Sequence, residues 1–488
     1  MADEPPDQST GEPAGGTVVT GADRPSGPAA GRIAGEVVHT GETFVVVAPY
    51  DGYELARVPA CGAREVDAAV AAARSAMAEP LPPWRRGEIL DRAAGEIAAD
   101  AEALARVIAD EAGKPIRTAR AEVERATLTF RTSAAEARTL AGDVVPIAGA
   151  PPGDGKLAFT LRVPRGVIGA ISPFNFPLNL VAHKVAPAIA AGCAVVLKPA
   201  SQTPLSAIRL QEVLLDRCGL PPGWLNVVTG GGSAVGDPLV DHPDVAMVSF
   251  TGSPPVGWGI AARAPRKKVA LELGNNSPVI IDASGDWQAA ADKISVAGFS
   301  HAGQSCISTQ RIYVHESIAD DFTEALVAAV GRLVVGDPLH EATDISALIH
   351  PDECDRVEAW VADAVDAGAT VALGGTRTGN VLEPTVLTGI TADMDVSRRE
   401  VFGPVVGIAR FTDLSTALDL ANDTGYGLHA AIFTGDLRAA LAAAHQLDFG
   451  GVLVNEVPTF RSDPMPYGGI RDSGNATDST HDFEPVAG

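Results

Sequence analysis

A two-lobed α/β protein, each lobe a largely parallel sheet between layers of helix, is the architecture that three features of this chain predict. Short β-branched runs ending in Gly, Pro or Ser alternate with helix-like stretches from Gly166 onward. The alternation restarts between Asp286 and about Asn455, which calls for a second sheet. Ahead of both lies an Ala-rich segment, Glu65 to about Ala141, whose apolar residues recur at helical spacing with charges on the opposite face.

Residues 1–31, beginning MADEPPDQSTGEPAGG, carry too few large apolar side chains to offset the entropy of ordering, and they read as an acidic tail outside the fold. The texts VDAAVAAARSAMAE and RRGEILDRAAGEIAADAEALARVIADEAG then form a helical layer. GVIGAIS, CAVVLKP, LNVVTG, VAMVSFTG and KVALELG are the strands of the first sheet, with helices such as PLSAIRLQEVLLDRCG between them. QRIYVHE, AAIFTG and GGVLVNE belong to the second. Ligands of such sheets lie beyond the carboxyl ends of the strands, so residues there are the candidates for chemistry.

With 46% hydrophobic residues, a chain of 488 can bury several cores and still form a cleft. Its formal charge of −24 repels phosphate backbones and anionic lipid, so neither nucleic acid nor a membrane is expected as a partner. An anionic substrate would need local basic residues. There is no run of about 18 uninterrupted apolar residues and no basic, apolar leader at the N-terminus, which places the protein in the cytoplasm. The five cysteines are odd in number, with no CxxC pair and no His/Cys cluster at metal-ligand spacing; they read as free thiols in a reducing compartment, with no metal site.

One thiol stands apart. Cys306 lies in AGQSCIS among small and polar residues, where it stays accessible, whereas Cys61, Cys193, Cys218 and Cys354 read as packed structural thiols. Around it in the chain, six short texts fall at strand ends: ISPFNFP, VLKPASQTP, FTGSPPVG, LELGNNSP, GQSC and REVFGPV. Each is a weak pattern alone, but their order and spacing together are specific. On these residues the chain, from about residue 32 to Gly474, resembles the aldehyde dehydrogenase superfamily. The resemblance implies a Rossmann-like cofactor domain (32–141 and 166–272), a catalytic α/β domain (273–455) and a small bridging or oligomerisation sheet (142–165 and 456–488). It also implies NAD or NADP as cofactor, a small aldehyde as substrate, and assembly as a homodimer or homotetramer.

Oxidising an aldehyde to an acid requires a thiolate nucleophile, donors for the resulting oxyanion and a base for the deacylating water. Cys306 is the candidate nucleophile. Glu272, at the end of KVALELG, is the candidate base. Asn175 in PFNFP would present its amide beside the Cys306 backbone N–H as the oxyanion hole. By resemblance, Lys198 reaches the adenosine ribose hydroxyls. Ser201 stands where many relatives carry a carboxylate that disfavours a 2′-phosphate, which keeps NADP open beside NAD. Gly252 and Ser253 resemble the pyrophosphate contacts, and Glu400 with Phe402 the pair that holds the nicotinamide ribose and ring. Pro173, Phe174 and Gly274 complete the expected cofactor contacts. The text GGGSAVG lacks a GxGxxG fingerprint and serves equally well as a plain loop.

For the substrate, Ser305 beside the thiol and the text PTFRSDPMPYGG resemble relatives acting on small, oxygenated or anionic aldehydes. Arg461 in that loop, and Arg125 and Arg131 on a helix that lines the substrate tunnel in relatives, are candidates to hold an anionic group. His183 in VAHK is a further tunnel candidate. Two departures stand out. ELGN replaces the family's ELGG, so a left-handed backbone at Asn275 would be expected if that position requires positive φ. The acidic text after Gly474 differs from the strand that relatives use for assembly, leaving KLAFTLRVPR (156–165) as the remaining contributor. Two alternatives stay open: a non-catalytic relative, and an acylating enzyme that passes the thioester to coenzyme A.

Overall fold

The strand texts are mostly apolar without alternation because the central strands are covered on both faces. In the computed structural model, which describes residues 24, 27–462 and 465–475, Val167–Ile171 and Val195–Lys198 are buried throughout. They lie in a five-stranded sheet with the order Leu225–Val227, Val195–Lys198, Val167–Ile171, Val245–Thr251, Lys268–Glu272. Every neighbour is parallel. The chain enters at the central strand, Val167–Ile171, winds outward one way and then crosses to the other side. The direction therefore reverses between Val167–Ile171 and Val245–Thr251. ISPFNFP and FTGS leave the sheet on the two sides of that switch point, where a crevice opens.

The Ala-rich segment forms the helices Ala63–Met77, Pro83–Ala99, Ala101–Ala112 and Ile116–Thr139. Small residues let them approach closely, and Ile89, Leu90, Ile97, Val123, Ala126 and Phe130 join the core of this lobe.

The second sheet has seven strands in the order Thr370–Leu373, Thr385–Thr388, Val405–Phe411, Arg311–His315, Pro278–Ile281, His429–Phe433, Gly451–Val454. Only the edge strand Thr370–Leu373 is antiparallel. Its core is separate from that of the first sheet.

Two expectations change at the ends of the chain. The tail reading reaches too far, because Gly27–Pro28 already pairs with Glu54–Pro59. Arg24 also reaches Asp110 at 3.0 Å and lies over the Tyr53 ring. Composition misses this because backbone pairing and one buried guanidinium, rather than apolar bulk, hold the segment. The remainder of 1–31 lies outside the described residues. At the other end, Val144–Val145 pairs with Ala158–Phe159 as a two-stranded hairpin. The described part of 456–488 does not join it: Gly474 bridges Glu272, Leu273 N–H donates to the Ser473 carbonyl at 2.9 Å, and Leu271 N–H donates to Asn475 Oδ1 at 2.9 Å. The chain's return thus closes the edge of the strand that carries Glu272. Residues 476–488 lie outside the described residues.

Candidate active site

The thiol loop begins where the helix Trp287–Ala297 ends, in a turn whose residues His301, Ala302 and Gly303 all have left-handed backbone, with φ of 51°, 53° and 70°. Gly303 is required twice over, since a Cβ there would also overlap the Gly403 carbonyl. That close approach brings the thiol loop against the FGP turn of the second lobe. Gln304 anchors it further, accepting from Ile349 N–H at 2.9 Å.

Cys306 ends up half-buried, its Sγ 3.1 Å from the Tyr467 hydroxyl. Burial, opposed by the Tyr467 hydrogen bond and by Arg461 and helped by the Glu400 and Glu272 carboxylates, leaves the thiol pushed up to about 12. The free enzyme therefore keeps a neutral thiol at neutral pH. Glu272, half-buried at the strand end, stands close enough for its charge to act on both Cys306 and Tyr467. The Asn175 amide donates to the Gln304 carbonyl at 2.9 Å, which ties the PFNFP turn to the thiol loop two residues before the sulfur. The three expected catalytic residues thus converge.

The cofactor candidates lie at or just beyond the ends of the first sheet's strands and in the FGP turn. Lys198 is buried, and among the described residues its ammonium donates to the Pro199 carbonyl alone, at 3.2 Å. Burial lowers it to about 8, so polar acceptors from a ligand would suit it. Ser201 Oγ donates to the Gly230 carbonyl at 2.9 Å, placing GGGSAVG beside it. Glu400 accepts from the Asn275 N–H at 3.0 Å and is pushed up to about 7, chiefly by burial. Gly274 lies against that carboxylate so closely that any Cβ would overlap it. Phe402, itself left-handed with φ of 46°, packs edge-on to Phe174 at 5.8 Å, with Pro173 adjoining in the chain. Gly252 is likewise closed to a side chain by the Phe250 ring, and the exposed Ser253 stands just before the helix Pro254–Arg263 without a side-chain capping bond to it. A buried cation, two glycine positions closed to any side chain, and a half-buried carboxylate near two aromatic rings are features that suit a dinucleotide.

Among the substrate candidates, Arg461 comes to the thiol: its guanidinium lies 4.2 Å from the centre of the Tyr467 ring, and its charge acts on Cys306. Arg125 is half-buried beside Lys114, on which its charge acts. Arg131 does not join them. Six residues at about 100° each turn it to a different face of the same helix, where it is exposed. His183 is half-buried on the helix Asn179–Ala190, and Ser305 stays half-buried beside the sulfur.

Asn275 is not among the left-handed residues. Its amide donates to Ser277 Oγ at 2.8 Å and to the His429 carbonyl at 3.2 Å, so the side chain is directed into the second lobe rather than into the crevice. Sequence reasoning missed Tyr467 and His429. Tyr467 is buried, and its ring meets His429 edge-on at 5.0 Å. The only signal was a polar-tipped aromatic in PYGG, and a histidine opening the otherwise apolar strand HAAIF. Among the described residues no group of three or more His, Cys, Asp or Glu could hold a metal ion.

A half-buried thiol gathered with a carboxylate, an amide and the end of a doubly wound sheet is the arrangement expected of an aldehyde-oxidising enzyme. The aldehyde dehydrogenase family model matches residues 37–484, and the chain belongs to that family. It is an NAD(P)-dependent oxidoreductase. It is 45% identical over 441 residues to a 3-sulfolactaldehyde dehydrogenase of Priestia aryabhattai, covering 90% of this chain and 92% of that protein. Of solved structures, an NAD-dependent aldehyde dehydrogenase from Sinorhizobium meliloti is 36% identical with a TM-score of 0.91, covering 95% of this chain and 94% of that one. A glyceraldehyde-3-phosphate dehydrogenase from Methanocaldococcus jannaschii, complexed with NADP, is 39% identical with a TM-score of 0.88, covering 91% of this chain and 98% of that one.

Proposed function

We propose that the enzyme oxidises a short aldehyde bearing an anionic group to its carboxylic acid. One observation carries this reading: in a chain of net charge −24, the Arg461 guanidinium is braced against the residue that touches the candidate nucleophile. The relatives named for 3-sulfolactaldehyde and glyceraldehyde 3-phosphate, both anionic aldehydes, support it. Arg461 would take the anionic group in bidentate fashion, with Arg125 and His183 lining the approach.

In this reading Glu272 accepts the thiol proton, and the Cys306 sulfur forms a bond to the aldehyde carbon. Negative charge moves to the carbonyl oxygen, where the Asn175 amide and the Cys306 backbone N–H donate to it; each such donor is worth about 10²- to 10³-fold in kcat. Lys198, Ser201, Gly252, Ser253, Gly274, Glu400, Phe402, Pro173 and Phe174 hold the nicotinamide cofactor, which supplies the hydride acceptor. Once it has passed that proton to solvent, Glu272 is again a carboxylate and deprotonates the water that hydrolyses the thioester, so the product is the free acid rather than a coenzyme A ester. The Ser201 hydroxyl, bearing no negative charge, admits either NAD or NADP. With four further thiols free and buried, a cytoplasmic location follows. The apolar hairpin at Ala158–Phe159 would join copies of the chain into a homodimer or homotetramer.

Rates of nicotinamide reduction across neutral, sulfonated and phosphorylated short aldehydes, with each cofactor and without coenzyme A, test the proposal. The anionic aldehydes are expected to lead in kcat/KM by about tenfold or more, and Arg461→Met to erase that lead. Equal rates for neutral and anionic aldehydes, or turnover retained in Cys306→Ala, would overturn it.

A further inference from the structure

The hydroxyl of Tyr467 lies 3.1 Å from the Cys306 sulfur, and among the described residues this is the one hydrogen bond recorded for it. Tyr467 is 8% exposed. Three contacts fix the ring itself. The Arg461 guanidinium covers one face at 4.2 Å. His429 meets it edge-on at 5.0 Å and holds the Arg461 loop through an Nδ1 bond of 2.8 Å to the Pro458 carbonyl. Ile307 and Leu428 complete the apolar packing. A ring held this way cannot swing its oxygen away from the sulfur without breaking the stack.

In the resting enzyme either the thiol or the phenol can be the donor. Once the thiol proton has left, the sulfur has nothing to donate, and only the phenol O–H can. The bond then becomes charge-assisted, which roughly doubles its strength. The gain falls on the ionised state of the nucleophile, where catalysis needs it. We propose that Tyr467 is a catalytic residue: its hydroxyl donates to the Cys306 thiolate and sets the fraction of enzyme that is nucleophilic. The thiol lies high because burial and two nearby carboxylates oppose ionisation, so a donor to the sulfur is needed. Proton bookkeeping is unaffected, for Glu272 takes the proton and Tyr467 keeps its own. Tyr467 itself is held well above the ordinary tyrosine range, first by burial.

The proposal rests on Cys306 as nucleophile, and its test separates the two. The rate of Cys306 alkylation by iodoacetamide is followed against pH by peptide mass spectrometry, alongside turnover. If complete alkylation leaves turnover intact, the nucleophile assignment fails. If alkylation abolishes turnover, the Tyr467 assignment is judged on variants. Tyr467→Phe keeps the stack with Arg461 and His429 while removing the oxygen. It is expected to move the alkylation midpoint up by about one to two pH units and to lower kcat/KM about 10- to 100-fold, the size of one charge-assisted hydrogen bond. The KM for the aldehyde should change far less, because Arg461 keeps its place. A fluorinated tyrosine at position 467, a stronger donor, should move the midpoint downward; this arm decides the matter if Tyr467→Phe does not fold. An unmoved midpoint in the folded variant overturns the proposal.

Discussion

Burial displaces both Lys198 and Glu400 toward their neutral forms, the lysine down to about 8 and the glutamate up to about 7. The lysine has a consequence for cofactor choice. Below about pH 8 its ammonium is charged and complements a phosphate; above that value the charge is lost. Affinity for NADP is therefore expected to fall as the pH rises from one unit below that value to one unit above it. Affinity for NAD, whose adenosine ribose offers the lysine hydroxyls in place of a 2′-phosphate, should change much less. Fluorescence titration of the free enzyme with each dinucleotide checks this, and an NADP affinity flat across the interval would remove Lys198 from the phosphate contact. His301 and Phe402 show a different residue-scale effect. Both hold left-handed backbone without being glycine, at φ of 51° and 46°. Such strain, about 1–3 kcal/mol each, persists only where surrounding structure over-determines the turn, and here both turns adjoin the thiol.

At the scale of elements, the helix Ile116–Thr139 sets the position of the turn that carries Asn175. Its Glu122 accepts from the backbone N–H groups of Leu178 and Asn179, at 2.9 and 3.0 Å, and so caps the helix that follows PFNFP. The same carboxylate pairs with Lys114, neither side chain having any exposure, and the Lys114 ammonium lies 3.7 Å from the centre of the Phe176 ring. Glu122→Ala would leave a buried ammonium unpaired and two helix N–H groups uncapped. The expected cost is about 3–5 kcal/mol in urea unfolding, with Asn175-dependent turnover lost alongside. A loss below about 1 kcal/mol would mean that Lys114 has found another partner. None of this was legible in the sequence. The Ala-rich periodicity predicted the helix, but a glutamate inside it gives no sign of which distant N-terminus it caps.

Across the whole molecule, the lobes are joined where the chemistry lies and also away from it. Ile116 N–H donates to the Pro338 carbonyl at 2.8 Å, and Arg120 bridges Glu102 and Glu341. The chain's return at Ser473 to Asn475 locks the edge beside Glu272. The hairpin is different, because Val144, Leu157, Phe159 and Leu161 are 74%, 78%, 62% and 73% exposed. So much apolar surface on one strap is unusual for a face left in water. Phe159→Arg is expected to shift the protein toward monomer in light scattering, with cofactor affinity retained. An unchanged mass would place the subunit contact elsewhere. No helix among the described residues is long and apolar enough to cross a membrane.

What the sequence determined by itself was everything local. Period and β-branching marked the two alternating lobes, and the order and spacing of six short texts, read as a family resemblance, marked Cys306, Glu272, Asn175, Lys198 and Glu400 as candidates; of these only Lys198 and Glu272 end strands, while Cys306 and Glu400 lie in turns that follow helical segments. What only the tertiary structure decided was which side chains meet across long separations. Tyr467 reaches a sulfur 161 residues away. Arg461 joins it and Arg131 does not. The amide of Asn275 bonds into the second lobe, and residues 27–31 belong to the fold. Each of these depends on how two lobes pack, and packing is a property of surfaces assembled from several segments, which no single stretch of chain records.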